Sequence, residues 1–169
     1  MRLGRPQQKK VTSRGEPVIL FGVGSNTLAV AASAVDEIRS TDGLTAIATG
    51  ALARSAKVKY TLERNGQRFF VVDSNLHFHV LPTKPARVMV FRKSEVALLV
   101  DRIDRITEIS VVHSLPLAFT GEERDWYRGL ALIDGDVVPV VDPASFLSSD
   151  ELQTLHARYP LATTRGATA

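Results

Sequence analysis

Few residues in this sequence have types and spacings that could support chemistry. Gly22-Val23-Gly24-Ser25 has the glycines of a phosphate-binding loop, but the lysine of a P-loop is missing and no helix pattern follows, which favours a hairpin turn. His77 and His79 would share a face only in a strand, and no third metal ligand lies nearby. The chain has no cysteine that could act as nucleophile or ligand. The sequence therefore predicts no enzyme, no metal site and no cofactor.

The polar residues that recur along the chain fit structural roles better. Asp73, Asp101 and Asp142 end strand-like runs, where a carboxylate that caps a turn or helix explains them better than acid–base chemistry. Asp142 precedes a proline, the pattern of an N-cap followed by a first helical residue without an N–H. Ser148 and Glu151 match a capping box, which predicts a C-terminal helix over residues 148–158.

The elements that carry these residues occur twice, about 69 residues apart. In the first copy the sequence runs through residues 18–21, a turn at 25–26, Val35-Asp36-Glu37-Ile38 and residues 65–73. In the second it runs through residues 88–91, a turn at 94–95, Ile103-Asp104-Arg105-Ile106 and residues 134–142. Two repeats are too few for a solenoid. The repeat therefore predicts two small subdomains packed together, about 17–80 and 86–147.

Each copy has the pattern of a small β domain. Short runs of Val, Ile, Phe and Leu alternate with turn residues, and Asn65-Gly66 and Asp134-Gly135 suit type I′ turns of tight hairpins. About five short strands per copy predict a mainly β fold of two five-stranded Src-homology-3-like barrels with short helices. A single β-sandwich is the competing fold.

Charge is concentrated at the N-terminus. Arg2, Arg5, Lys9, Lys10 and Arg14 face only Glu16, so this segment carries +4 and the rest of the chain −1. We expect residues 1–16 to form a disordered basic tail, with contact to an acidic partner or a membrane surface as the alternative, and residues 159–169 to be flexible. The longest apolar runs are strand-sized, so we expect a cytoplasmic chain without membrane insertion.

Nucleic-acid binding is a possible use of a small barrel, since such barrels stack bases on aromatic side chains within a basic groove. The aromatic residues here are few, and Phe69-Phe70 and Trp126-Tyr127 are adjacent pairs whose members point to opposite faces of a strand. Outside the N-terminal segment, acidic and basic residues nearly balance, so the globular part has no strongly positive surface that would favour nucleic acid. The sequence favours a protein-interaction module and keeps a nucleic-acid-binding barrel as the alternative.

Three segments together resemble the CheW-like domains of bacterial chemosensory signalling. They are residues 21–38, which contain Val35-Asp36-Glu37-Ile38; residues 96–103, Val-Ala-Leu-Leu-Val-Asp-Arg-Ile; and residues 127–142, which contain Tyr127-Arg128-Gly129 and Asp134-Gly135. The resemblance covers about residues 18–147. It implies two five-stranded barrels that enclose a hydrophobic groove, no catalysis, and an adaptor that joins methyl-accepting chemoreceptors to a CheA-type histidine kinase.

The resemblance also implies where partners bind. The candidates for a receptor groove are Val35, Glu37, Ile38, Val100, Arg102 and Ile103. The candidates for a kinase interface are Arg64, Asn65, Gly66, Asp134 and Gly135. Weak self-association through the barrel ends is a further expectation.

One departure from the family pattern identifies a divergent member. The positions of the family's Asn-Leu-Arg-Gly motif hold Glu63-Arg64-Asn65-Gly66, so the arginine position is Asn65. The neighbouring Arg64 would point to the opposite face of a strand. This departure leaves open a CheW-like interaction module that serves an unusual partner outside chemotaxis.

Overall fold

The structure, a computed structural model, describes residues 15–47 and 57–160. Its strands are β1 (Glu16–Val23), β2 (Asn26–Ala31), β3 (Val35–Arg39), β4 (Thr45–Ala46), β5 (Val58–Arg64), β6 (Gln67–Asp73), β7 (Arg87–Phe91), β8 (Val96–Val100), β9 (Arg102–Ile109), β10 (Tyr127–Ile133) and β11 (Asp136–Val141). The helices are α1 (Ser74–His77) and α2 (Ser149–Arg158), with short 3-10 helices at Ala32–Ala34, Glu122–Trp126 and Pro143–Ser145. Most of the predicted tails, residues 1–14 and 161–169, lie outside the described residues.

The strands form two sheets. Sheet A has the order β10-β11-β2-β1-β9, and sheet B has the order β3-β7-β8-β6-β5-β4. The predicted mainly β fold with a C-terminal helix is confirmed. The hydrogen-bonded order of each sheet has free ends, and the two-residue β4 gives sheet B a sixth strand, so backbone pairing does not close the sheets, although their order is compatible with the predicted Src-homology-3-like packing.

The repeat is visible in the order of the strands. Each strand of sheet A has a repeat counterpart in sheet B: β1 corresponds to β7, β2 to β8, β9 to β3, β10 to β5 and β11 to β6. The counterparts follow one another in the same order in both sheets, and β4 is the one strand of sheet B without a counterpart. The parallel pair β2–β11 likewise matches the parallel pair β8–β6. Sheet B uses the continuous stretch 35–100, whereas sheet A combines β1 and β2 with β9, β10 and β11. The sheets thus divide the chain at different places from the sequence repeat.

Alternating side chains fill three apolar cores. On β1, Val18 and Leu20 pack within sheet A, while Ile19 and Phe21 pack between the sheets. On β6, Phe69 lies in the core of sheet B and Phe70 in the core between the sheets, as expected for adjacent residues on a strand. The central strands are therefore buried on both faces, which explains their nearly continuous apolar runs.

The turns and caps have the predicted geometry. Asn65 and Gly66 have φ values of 51° and 75°, and Asp134 and Gly135 have 52° and 85°, as type I′ hairpin turns require. The Asp73 carboxylate accepts the backbone N–H of Asn75 at 2.9 Å. The Asp142 carboxylate caps the 3-10 helix that begins at Pro143, and α2 starts with a complete capping box.

Candidate functional site

Three of the receptor-groove candidates lie in the core between the sheets. Val35 is 7 % exposed, Val100 is fully buried, and Ile103 is half-buried against the same core. The structure therefore brings these residues together, but it leaves only Ile103 accessible to a partner without a change in packing. Sequence reasoning could not separate core from groove here, because both require apolar side chains at alternate positions.

The other receptor-groove candidates are accessible but lie in two separate environments. Ile38 is 39 % exposed on β3, which is an edge strand of sheet B. The Glu37 carboxylate, on the same strand, accepts a hydrogen bond from Arg64 at 2.9 Å. Arg102 begins β9 at the edge of sheet A, and its guanidinium donates to the carbonyl of Gly24 at 2.8 Å and to Asp104 at 3.1 Å. Glu37 is thus joined to a kinase-interface candidate rather than to Arg102.

Arg64 joins the two ends of sheet B. It lies at the end of β5 and forms ion pairs with Asp36 and Glu37 on β3, although β3 and β5 are far apart in the strand order. The Arg64 hydrogen bond lowers the pKa of the Asp36 carboxyl below its ordinary value. These side-chain contacts link β5 to β3 where no backbone hydrogen bonds join the two strands.

Sheet A has the corresponding contact with the charges reversed. Arg105 on β9 forms an ion pair with Asp134 at the β10–β11 turn. In the strand register, Arg105 pairs with Leu20 and Glu37 pairs with Val90, which is the repeat counterpart of Leu20. Arg105 and Glu37 each follow a bulge in their strand. Strand β9 therefore carries the basic partner of the ion pair in sheet A, whereas its repeat counterpart β3 carries the acidic partners in sheet B. The sequence repeat aligns Glu37 with Arg105. This change of charge between equivalent positions is the sequence signal that could have predicted the two ion pairs.

Comparison with known proteins decides the family. A family model of the CheW-like domain matches residues 17–151. The chain belongs to the CheW-like domain family. Its fold is similar to that in the crystal structure of the scaffolding protein TtCheW from Thermoanaerobacter tengcongensis, with a TM-score of 0.64, 12 % identity, and coverage of 76 % of this chain and 90 % of that chain. At that identity the likeness concerns the fold alone. No curated protein matches the sequence.

Membership of the CheW-like family supports a non-catalytic adaptor role in chemosensory signalling. Among residues 15–47 and 57–160, no group of three or more His, Asp or Glu side chains is arranged to hold a metal ion. Within the same ranges, no helix is long and apolar enough to cross a membrane.

An aromatic cluster that the sequence did not reveal packs against the core between the two sheets. The His77 ring is 3.8 Å from that of Trp126, 4.7 Å from that of Phe78 and 4.8 Å from that of Phe146, measured between ring centroids. His79 is exposed, so the two histidines do not share a face. A shared face would require both histidines to lie on one strand, whereas His77 lies in α1. Three separate stretches of chain supply the cluster, and local spacing gives no signal for such a meeting.

Proposed function

We propose that this chain is a cytoplasmic adaptor that couples a methyl-accepting chemoreceptor to a CheA-type histidine kinase. The observation that supports it most is the pair of equivalent sheets over a shared apolar core, within a chain that belongs to the CheW-like family. Such a double module offers two sides to two partners without an active site. The mechanism is recognition by surfaces and grooves.

The receptor side is best tested at Ile38. A receptor-like coiled-coil tip offers apolar side chains, and Ile38 beside Glu37 on an open sheet edge offers an apolar contact next to a charge. Ile106 is a matched control, because it holds the equivalent position on β9, opposite Ile19, and is 67 % exposed. Ile38→Lys is expected to weaken capture of a receptor cytoplasmic hairpin at least about tenfold, as loss of an interface contact worth about 1.4 kcal/mol would.

The experiment measures binding of the purified hairpin to the two variants by surface plasmon resonance. Ile106→Lys is expected to bind like the unsubstituted chain. Equal weakening by both substitutions would assign the effect to general charge, and no weakening by Ile38→Lys would remove Ile38 from the receptor surface.

The kinase side is proposed at the hairpin turns. Arg64, Asn65 and Gly66 lie at the turn of sheet B, and Asp134 and Gly135 at that of sheet A, so the two sets are equivalent ends of two similar sheets. Arg64 is occupied by Asp36 and Glu37. We therefore expect Asn65→Arg, which restores the arginine at the family position, to strengthen binding of a CheA regulatory domain. Because Asn65 has a φ of 51°, where arginine is strained, the urea midpoint of the variant is measured as a control, and unchanged or weaker binding at unchanged stability would argue for an unusual partner outside chemotaxis.

Weak self-association through the sheet ends can be tested by its dependence on salt, because one of the two ends is lined mainly by acidic residues. A cavity of about 730 Å³ at the end of sheet A is lined by Asp104, Asp134 and Asp136 but only one arginine, Arg105. The corresponding cavity at the end of sheet B, about 720 Å³, has a lining of balanced charge, with the basic residues Arg64, Arg92 and Lys93 and the acidic residues Asp36, Glu95 and Asp142. An end-to-end contact between copies would be favoured at low salt. Sedimentation velocity at tens of micromolar protein tests this, and a monomer at 20 mM salt would contradict it.

A further inference from the structure

The short helix α1 carries polar side chains into the interior without hydrogen-bond partners. Ser74 is fully buried and His77 is 1 % exposed. The Ser74 hydroxyl and both ring nitrogens of His77 have no hydrogen-bond partner within the described part of the chain. Such groups lose their bonds to water without replacement, so the buried position of α1 is disfavoured by its own polar face.

The surroundings of His77 are unable to stabilise a positive charge by hydrogen bonding. The ring is enclosed by the aromatic rings of Phe78, Trp126 and Phe146. Burial is the main reason that the pKa of His77 is lowered to about 3. The imidazole is therefore neutral as long as α1 stays in place near neutral pH.

The charged groups around the ring also oppose protonation. The nearby groups that disfavour a charge on His77 are Lys57, whose Nζ lies 5.4 Å from the centroid of the Trp126 ring, and the His79 ring when it carries a proton. Lys57 is held by Glu151 at 3.6 Å, and the His79 ring lies 4.0 Å from Glu123. The Asp73 carboxylate, at the start of α1, is engaged by the backbone N–H groups that it caps. The acidic side chains of the 3-10 helix that carries Trp126 are exposed.

Helix α1 also takes part in a chain of hydrogen bonds between the two sheets. α1 follows β6 of sheet B, and the Asn75 amide donates to the Thr83 hydroxyl at 3.0 Å. Thr83 in turn donates to the Asp101 carboxylate, whose other oxygen accepts the backbone N–H of Gly24 in the β1–β2 turn of sheet A. Movement of α1 would therefore break the contact between Asn75 and Thr83, through which α1 joins this chain of hydrogen bonds to the β1–β2 turn.

We propose that α1 is an acid-released connection between the sheets: His77 gains a proton only when α1 leaves its buried position, and this release breaks the link from Asn75 to Gly24. The released histidine has the ordinary affinity of a solvated imidazole for a proton, so falling pH favours the released form. This regulatory device is independent of the proposed adaptor function.

Trp126 gives a direct readout, because it is the only tryptophan in the chain and lies against His77. The experiment follows tryptophan fluorescence and far-ultraviolet circular dichroism of the full chain between pH 8 and pH 3. We expect a reversible fluorescence step with its midpoint between the pKa of a free histidine, about 6.5, and that of the buried one, while the β signal is retained. His77→Phe is expected to remove the step, and His79→Gln, an exposed neighbour, to keep it.

Two further variants keep the test decisive if His77→Phe does not fold. Asp73→Ala removes the cap of α1 and should raise the midpoint by about 0.7 pH unit. Ser74→Ala removes a buried hydroxyl without partners and should lower the midpoint. The proposal is overturned if His77→Phe keeps the step, if neither variant moves the midpoint, or if fluorescence and circular dichroism change together at one pH.

Discussion

Val35 is the candidate whose substitution separates core from contact surface most sharply. It is 7 % exposed in the core between the sheets, whereas Ile38 on the same strand is 39 % exposed. Burial of a valine contributes about 1.5–3 kcal/mol, and a buried ammonium group without a partner adds a desolvation cost. We expect Val35→Lys to lower the free energy of unfolding by about 3 kcal/mol or more, and Ile38→Lys by less than about 1 kcal/mol.

Urea unfolding measured by tryptophan fluorescence gives both values. With a denaturant slope of about 2 kcal/mol/M, a loss of 3 kcal/mol lowers the urea midpoint by about 1.5 M, and a loss of 1 kcal/mol lowers it by about 0.5 M. Capture of the receptor hairpin is measured on the same preparations. Val35→Ala, which introduces no charge, should lower the midpoint by about 1 M, since it removes two buried methyl groups and leaves a cavity.

Either of two results would refute the reasoning from burial. A Val35→Lys chain with an unchanged urea midpoint and no receptor capture would show that Val35 contacts the partner and does not support the core. Loss of stability in Ile38→Lys equal to that in Val35→Lys would contradict the assignment of Ile38 to an exposed sheet edge.

Three other predictions concern backbone contacts and a helix cap. Gly129→Ala should destabilise the chain by about 3 kcal/mol in the same urea assay, because the new Cβ would lie 2.1 Å from the carbonyl oxygen of His113 and that backbone cannot withdraw. Gly22→Ala should cost about 1 kcal/mol, since the new Cβ meets the movable guanidinium of Arg102, and this cost should vanish in an Arg102→Ala background; full persistence there would contradict the contact. Ser148→Ala should lower thermal stability by about 1 kcal/mol through loss of the cap of α2, and an unchanged calorimetric midpoint would argue against it.

Local patterns predicted local structure well in this chain. Asn65-Gly66 and Asp134-Gly135 demanded positive φ at both positions, and the observed hairpins have it. Ser148 and Glu151 predicted a helix start that depends on only four consecutive residues. Such signals succeed because the forces that decide them act within one turn.

The candidate site could be predicted less well, because its geometry depends on pairings between distant strands. Alternation along β3 marks Val35 and Glu37 as facing one way, but the bulge at Asp36 separates them and sends Val35 into the core. Nothing local shows that Arg64 meets Glu37, or that His77 meets Trp126. These contacts follow only from the way the two sheets pack.

The division of the chain between the sheets sets the order in which the strands of each sheet become available during synthesis. All strands of sheet B have been made when residue 100 leaves the ribosome, whereas β1 and β2 still lack β9 and β11 on their two sides. At about 5–20 residues per second, β2 then waits for seconds, until residue 141 is made, before its parallel partner is complete. During that time sheet B is the sheet whose strands are all available to cover the inner face of the apolar β1–β2 hairpin. We therefore expect sheet B to be the surface that covers these first-made strands until the last-made strands arrive.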